Sequence, residues 1–331
     1  MVSGSSKGVS EHMKRLLCAI LALMLLLSLA GCKKEEEPVE IPETVPEEKP
    51  QEQVPDWMTL PADRQLTAQQ YFVYDCENRE FVTISGDAGE RVYPASITKL
   101  FTAYVAGQYL SADKTVEVGD ALDLVGWGSS VAELQKGDKI TVEKLIAAMM
   151  LPSGNDAANV LAAEAGRALE DDPEIAGVQE FVAEMNRQAQ ILGMDDTHFA
   201  NPDGLHQDDH YSTLGDLAVL GTLALEDPVL MQYAGTARET VQMESGAKQW
   251  KNTNALIDPE SPYYCPYAIG LKTGQTPSAG SCLLSAFQYE ERTLVIGVFG
   301  CPEEDDRFPD TLQLFNETIG YMAAPTDSEE Q

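Results

Sequence analysis

Apolar positions along this chain follow two rhythms, and their order predicts the architecture. Tyr71-Phe72-Val73-Tyr74 and Phe81-Val82-Thr83-Ile84 are short β-prone runs flanking a polar stretch that contains the turn-former Asn78. They predict a pair of strands. From Leu100 the spacing becomes helical, with Leu100, Phe101, Tyr104 and Val105 on one side. Residues 142–151 predict a short apolar helix ended by Pro152, with Ser153 in the loop beyond it. A second helix opens at Asp156 and carries Ala157, Leu161, Ala162 and Ala165. Val178, Phe181, Val182, Met185, Ala189 and Leu192 form another helical stripe, stopped by Gly193. Thr213-x-x-Asp216 has capping-box spacing and opens a helix through Leu225. Residues 102 to about 230 therefore read as mostly helical. Strand-like runs return at 267–273, 281–287 and 293–300, and an amphipathic helix over 311–322 closes the pattern. The expected class is α/β (α+β): a sheet with helices packed on it and an inserted helical lobe.

Ahead of this pattern the composition changes twice. Residues 13–32 carry Lys14 and Arg15, then an apolar core over 16–29 that is short for a membrane span, then Leu29-Ala30-Gly31-Cys32. This ending resembles a bacterial lipoprotein signal, in which Cys32 becomes the lipidated first residue; a plain transmembrane anchor is the alternative. Translation starting at Met13 would suit such a signal. Two acyl chains on Cys32 would hold the protein stably on the outer face of the cytoplasmic membrane. Residues 33–55 are rich in Glu and Pro and too polar to fold, so they predict an extended tether. The expected organisation is signal 1–31, tether 32–56, catalytic domain 57–324 with its helical lobe at about 102–230, and tail 325–331. A formal charge of −32 over 331 residues argues against nucleic acid as a partner.

The candidate chemistry starts at Ser96-Ile97-Thr98-Lys99. Residues i and i+3 share a helix face, so the Lys99 amine can reach the Ser96 hydroxyl. Serine becomes a nucleophile when a neighbouring base takes its proton, and lysine is such a base once burial or a nearby cation lowers its pKa. Downstream come Ser153-Gly154-Asn155 and Lys272-Thr273-Gly274, in that order. Ser-x-x-Lys, Ser-x-Asn and Lys-Thr-Gly in sequence are characteristic of penicillin-recognising serine enzymes.

With Gly154 in the middle triplet, and with the contexts Pro94-Ala95-Ser96 and Gly270-Leu271-Lys272-Thr273-Gly274-Gln275-Thr276, the chain resembles the serine D-alanyl-D-alanine carboxypeptidases, the low-molecular-mass penicillin-binding proteins of peptidase family S11. Gly128-Ser129-Ser130, Asp203-Gly204-Leu205 and Tyr211-Ser212-Thr213 also match, and the resemblance runs from about residue 66 to 321. It implies a β-lactamase/transpeptidase-like fold with an antiparallel five-stranded sheet. It also implies that Ser96 attacks the carbonyl between the two terminal D-alanines of a peptidoglycan stem peptide while Lys99 takes the proton. Ser153 would relay a proton to the leaving D-alanine, Asn155 would orient the substrate amide, and Lys272 would add positive charge and lower the pKa of Lys99. Main-chain N–H groups of Ser96 and Gln275 would form the oxyanion hole, with Thr273 and Gly274 beside the substrate. Arg307, ahead of the closing helix, would bind the substrate carboxylate; a surface salt bridge is the competing reading. β-Lactams would be covalent inhibitors, and no cofactor or metal is implied.

A class A β-lactamase would carry a Glu-x-x-Leu-Asn run for deacylation, and the sequence has none. An endopeptidase cutting D-alanyl cross-links and a β-lactam-binding sensor that never turns over remain alternatives. Cys282 and Cys301 fall near one end of an expected hairpin, where they would either pair or serve as small buried hydrophobes. His206, Asp208, Asp209 and His210 read as a polar loop, with a metal site as the lesser alternative.

Overall fold

The structure, a computed structural model, describes residues 64–169 and 177–323. The expected signal, Cys32, the tether and the tail lie outside the described residues.

Strand β1 (Gln70–Asp75) turns into β2 (Glu80–Ile84). The turn is built by Asp75, whose Oδ1 accepts from the Asn78 N–H at 2.9 Å, a side-chain mimic of a backbone turn. After β3 (Arg91–Val92) a 3₁₀ turn at Ala95–Ile97 runs directly into α1 (Thr98–Gly107). Strands β4 (Thr115–Glu117) and β5 (Lys139–Thr141) pair, and then α2 (Val142–Met150), α3 (Asn155–Leu169) and α4 (Val178–Ile191) follow. Gly193, at φ 78°, ends the α4 segment as expected. Strand β6 (Ser212–Thr213) leads to α5 (Leu214–Leu225) and α6 (Pro228–Ala234). Thr213 Oγ1 accepts from the Asp216 N–H at 3.1 Å, so it does cap α5. The Asp216 carboxylate, however, turns to Thr197 Oγ1 at 2.6 Å, leaving only half of the expected reciprocal box.

A hairpin that the sequence pattern does not announce, β7 (Arg238–Met243) with β8 (Gly246–Lys251), comes before the last strands. Only Val241 and Trp250 are buried in it, one per strand, too few to print a period of two. The chain ends with β9 (Ala268–Thr276), β10 (Gly280–Tyr289), β11 (Arg292–Cys301) and α7 (Arg307–Ala323). The closing helix thus begins at Arg307, not beyond it.

The main sheet runs β2-β1-β11-β10-β9, antiparallel throughout. Its alternating side chains supply two cores. Val73, Leu283, Phe287, Leu294, Ile296 and Val298 meet Phe308, Leu312 and Phe315 of α7 on one face. Phe72, Leu284, Val295 and Phe299 join Leu100, Phe101 and Leu217 in the larger core on the other. Burial on this scale is what offsets the chain entropy of folding. Gly221 lets α5 sit close to the sheet: a Cβ there would stand 2.5 Å from Val295 Cγ1. The helical lobe lies between β3 and β9 in sequence and also contains the small β4–β5 sheet. Cys76, Cys265, Cys282 and Cys301 are all free thiols, so Cys282 and Cys301 act as buried small side chains. No helix among the described residues is long and apolar enough to cross a membrane.

Candidate active site

Three separate pieces of chain converge at the start of α1. The first is the 3₁₀ turn holding Ser96, set by Ala95 at φ 48°. A non-glycine residue in the left-handed region is strained and persists only when its surroundings enforce it. Gly204 provides part of that enforcement: a Cβ on it would lie 1.9 Å from the Ala95 carbonyl oxygen, so no side chain fits. The second piece is Ser153-Gly154-Asn155, between α2 and α3. Ser153 sits at φ 62°, and the Asn155 N–H donates to the Ser130 carbonyl at 2.8 Å. The third is β9, an edge strand whose Gly274 passes so close to the turn that a Cβ would stand 2.7 Å from Pro94 O and 3.2 Å from Ser96 N.

Lys99, fully buried, is the hub. Its Nζ lies 2.8 Å from Ser96 Oγ, 2.8 Å from Asn155 Oδ1 and 2.6 Å from the Asp203 main-chain carbonyl. Asn155 is itself fixed, because its Nδ2 donates to Ser129 Oγ at 3.0 Å. Burial pulls the Lys99 pKa down to about 8, with the nearby Asp203 and Asp156 carboxylates pulling the other way. Both carboxylates are tied to neutral donors. Asp203 accepts from Asn159 Nδ2 and the Leu205 N–H, while Asp156 accepts from the Ala132 and Leu134 N–H groups.

Lys272 is also fully buried. Its Nζ donates to the Thr273 carbonyl at 3.1 Å and to Thr253 Oγ1 at 3.3 Å. Thr253 and Thr273 share a 2.6 Å hydroxyl–hydroxyl hydrogen bond. Burial first, then the Lys99 charge and the Arg307 charge, hold Lys272 well below an ordinary lysine. The Lys99–Lys272 repulsion is mutual, and burial is the first cause of the depression at both amines.

Arg307 is not a surface residue. It is 3% exposed, and its Nη1 reaches the Gly274 carbonyl at 3.4 Å. Its Nη2 meets Glu304 at 3.3 Å, while Nε is buried with no hydrogen-bond partner among the described residues. A cavity of about 460 Å³ has both Arg307 and Thr253 in its wall. An unsatisfied buried N–H beside a cavity next to β9 suits an anionic ligand.

The structure brings Ser96, Lys99 and Asn155 into direct contact. It sets Lys272, Thr273, Gly274 and Arg307 together around β9, and Gly274 brings β9 against Ser96. Ser153 is buried at 6% exposure beside Asn155, and Gln275 is exposed on β9, paired with Ser281 of β10. Sequence reasoning missed Thr253, which has no local motif, and the structural parts played by Ser129 and Asp203. Both lie in stretches that match the family, but main-chain carbonyls and loop hydroxyls carry no signature of their own. The polar-loop reading of His210 is also corrected. That ring is buried, its Nε2 is 2.8 Å from Thr98 Oγ1, and its Nδ1 accepts from the Ala200 N–H at 3.2 Å.

A serine whose hydroxyl contacts a buried, pKa-lowered lysine is the arrangement that serine acyl transfer requires. Comparison with known proteins agrees. A family model described as D-alanyl-D-alanine carboxypeptidase, peptidase family S11, matches residues 57–303, and the chain belongs to that family. It is similar to the D-alanyl-D-alanine carboxypeptidase of Streptomyces sp. strain K15, with 34% identity over 239 residues, covering 69% of this chain and 79% of that one. DacC of Escherichia coli is 32% identical over 249 residues, covering 70% and 56%. DacF of Bacillus subtilis is 29% identical over 232 residues, covering 68% and 56%. The chain thus spans a little over half the length of DacF and DacC. Among solved structures, the Streptomyces K15 DD-transpeptidase superposes with a TM-score of 0.70 at 29% identity, covering 78% of this chain and 98% of that one.

Proposed function

We propose that the protein is a serine D-Ala-D-Ala carboxypeptidase that removes the terminal D-alanine from peptidoglycan stem pentapeptides through an acyl-enzyme on Ser96. The observation that carries this reading is the set of acceptors around Lys99. An ammonium has three protons to donate, and Ser96 Oγ, Asn155 Oδ1 and Asp203 O are three acceptors. Remove one proton and the amine keeps two donors and one lone pair. The two carbonyl oxygens cannot donate, so the lone pair can face only the Ser96 hydroxyl. Deprotonation therefore aims the base at the nucleophile without any rearrangement.

Substrate enters with its carboxylate toward Arg307, Thr253 and Thr273. That negative charge is met by Lys272 as well, and a positive charge on Lys272 beside Lys99 favours the neutral form of Lys99. Ser96 Oγ attacks the penultimate D-alanyl carbonyl as its proton passes to Lys99. The oxyanion lies against the N–H groups of Ser96 and Gln275, where one donor is worth roughly 3–4 kcal/mol of transition-state stabilisation. Asn155 orients the substrate amide. Ser153 relays the proton from Lys99 to the departing amine, the C–N bond breaks, and D-alanine leaves, with Lys99 neutral again. Water then attacks the ester, returning its proton through the same amine and freeing the tetrapeptide. An amine in place of water would give transpeptidation, and a cross-linked donor would give endopeptidase cleavage.

β-Lactams acylate the same serine, and without a dedicated deacylating glutamate the ester is long-lived. The domain spans 57–324, behind a signal over 1–31 and a tether over 32–56, with a tail over 325–331. Cys32 carries diacylglycerol that holds the exported enzyme on the outer face of the cytoplasmic membrane. Labelled-lipid incorporation lost in Cys32→Ser supports that anchor, and incorporation persisting there refutes it. The activity test is release of D-alanine from Nα,Nε-diacetyl-L-Lys-D-Ala-D-Ala. Multiple turnover by the wild type and none by Ser96→Ala is expected. Stoichiometric acylation by penicillin without peptide turnover would instead favour the sensor reading.

A further inference from the structure

Asp310 is a fully buried carboxylate that the reaction itself does not use. It lies in the first turn of α7, just past Arg307. Its Oδ2 accepts from the Thr67 N–H at 2.9 Å, the Thr67 hydroxyl at 2.9 Å and the Ala68 N–H at 2.7 Å. Arg64 Nη1 stands 2.6 Å from Oδ1 as a charge pair, although it is not aligned on that oxygen as a hydrogen bond. All of these groups come from residues 64–68, the segment that leads into β1, an interior strand of the sheet. Cys301, the last residue of β11, adds its thiol at 3.8 Å from Oδ2.

We propose that Asp310 is a positioning residue for recognition of the substrate carboxylate. Clasped by residues 64–68, it locks the first turn of α7 so that Arg307 stays beside Gly274 with its guanidinium open to the ligand. The inference rests on the carboxypeptidase reading and adds to it a support that lies outside the catalytic motifs. Three observations carry it. First, the Arg307 side chain is weakly fastened by its own contacts. Nη1 reaches the Gly274 carbonyl at 3.4 Å, Nη2 meets the exposed Glu304 at 3.3 Å, and Nε has no partner among the described residues. Its place is therefore set by where the helical turn sits. Second, that turn follows an exposed loop, residues 302–305, and helix ends are where local opening starts. The clasp gives it a buried anchor on the sheet. Third, a buried carboxylate is a costly way to add stability, since an apolar side chain of similar size would bury there without desolvating a charge. What the charge supplies is direction, because one carboxylate gathers several donors at fixed positions. Arg64 also occupies the oxygen that could otherwise turn to Arg307 at i,i+3 and neutralise it.

The test measures kcat/KM for Nα,Nε-diacetyl-L-Lys-D-Ala-D-Ala and for its C-terminal amide, and reads the ratio of acid to amide. The wild type should favour the acid by about tenfold or more, the discrimination that a hydrogen bond to a charged group supplies. Asp310→Asn should cut that ratio about three- to tenfold, since a displaced guanidinium keeps part of its contact with the carboxylate. Turnover of the amide should stay near the wild-type value. Gln313→Ala is the control. Gln313 Nε2 also holds this segment, donating to the Arg64 carbonyl at 2.8 Å, but from the following turn of α7, so the variant should lose stability and keep the ratio. An unchanged ratio in Asp310→Asn, or an equal fall in Gln313→Ala, makes the clasp a scaffold and overturns the proposal. If Asp310→Asn does not fold, Arg64→Ala decides in its place. A ratio lowered about two- to threefold, the scale of a partly exposed charge pair, supports the clasp, and a wild-type ratio overturns it. A wild type that turns over acid and amide equally removes the carboxylate contact and the clasp with it, while the enzyme stands. Turnover of neither peptide overturns the carboxypeptidase reading itself.

Discussion

The main-chain carbonyl of Asp203 accepts a 2.6 Å hydrogen bond from Lys99 Nζ, so the orientation of this amine is set by a peptide group that cannot titrate. This separates two tasks. Asp203 and Asn155 determine where the amine points, and burial determines when it is neutral. Since burial brings the Lys99 pKa down to about 8, the reactive, uncharged form is the minor one at pH 7. The kcat/KM for a D-Ala-D-Ala peptide should climb tenfold per pH unit below about 8 and level off above it. A stopped assay between pH 5.5 and 9.5 checks this. Lys99→Arg keeps a cation but cannot give up its proton, and should lose roughly 10²–10⁴ in acylation rate.

Arg307 is expected to read the substrate carboxylate. Its Nε has no partner among the described residues and its Nη1 contact to the Gly274 carbonyl is long, so the guanidinium has capacity left for an anion. Arg307→Ala should lower kcat/KM for D-Ala-D-Ala about 10- to 100-fold, as expected for removing a hydrogen bond to a charged group worth about 1.5–3 kcal/mol. It should have little effect on the corresponding C-terminal amide. An equal loss on both substrates would assign Arg307 to the structure of α7 alone.

Gly204→Ala tests the link between the 201–205 loop and the nucleophile turn. The residue sits at φ 83°, and its Cβ would lie 1.9 Å from the Ala95 carbonyl oxygen, a clash that only backbone movement relieves. The variant should lose about 2–4 kcal/mol in urea unfolding and acylate slowly, because Ala95 carries Ser96 with it. Gly193→Ala also falls at positive φ, but a Cβ there meets nothing within 4 Å. It should show a smaller loss of stability and normal acylation.

His210 gives the fold an acid-sensitive point. Its Nδ1 accepts from the Ala200 N–H, so Nε2 carries the proton toward Thr98, and a second proton would break the Ala200 bond. Burial first, then the His198 charge, lowers its pKa from 6.5 to about 4. The unfolded chain therefore binds a proton that the folded one refuses. Stability from this group is intact above pH 6.5, falls as the pH drops to about 4, and is constant below, with a total of roughly 3 kcal/mol. His210→Asn keeps an acceptor for Ala200 and should flatten that acid limb while lowering stability at pH 7.5. Urea unfolding at pH 7.5, 5.5 and 4 measures both effects.

Much of this arrangement is legible in the chain because the chemistry is local. Ser96 and Lys99 are one helical turn apart, and a turn's geometry is fixed. The five sheet strands announce themselves because each has a run of β-prone residues on a buried sheet, and α2, α4 and α5 because their apolar stripes face one core. What could not be read depends on contacts between distant segments. Thr253 reaches Lys272 only because the segment after β8 is held against α2, where its N–H donates to the Leu151 carbonyl. Burial of Arg307 follows from α7 starting about one turn earlier than its apolar stripe suggests, and a charged residue flanked by Glu304, Asp305 and Asp306 reads as surface. The depression of Lys272 reflects burial first and then the Lys99 and Arg307 charges that distant segments bring beside it, which no motif encodes.

The central claim is that Ser96 is the acylated nucleophile and Lys99 its base. Incubation with a fluorescent penicillin, followed by proteolysis and mass mapping, tests it most directly. One adduct on the peptide containing Ser96 is predicted, absent in Ser96→Ala and formed far more slowly in Lys99→Arg. An adduct on any other residue, or unchanged labelling of Ser96→Ala, would contradict it.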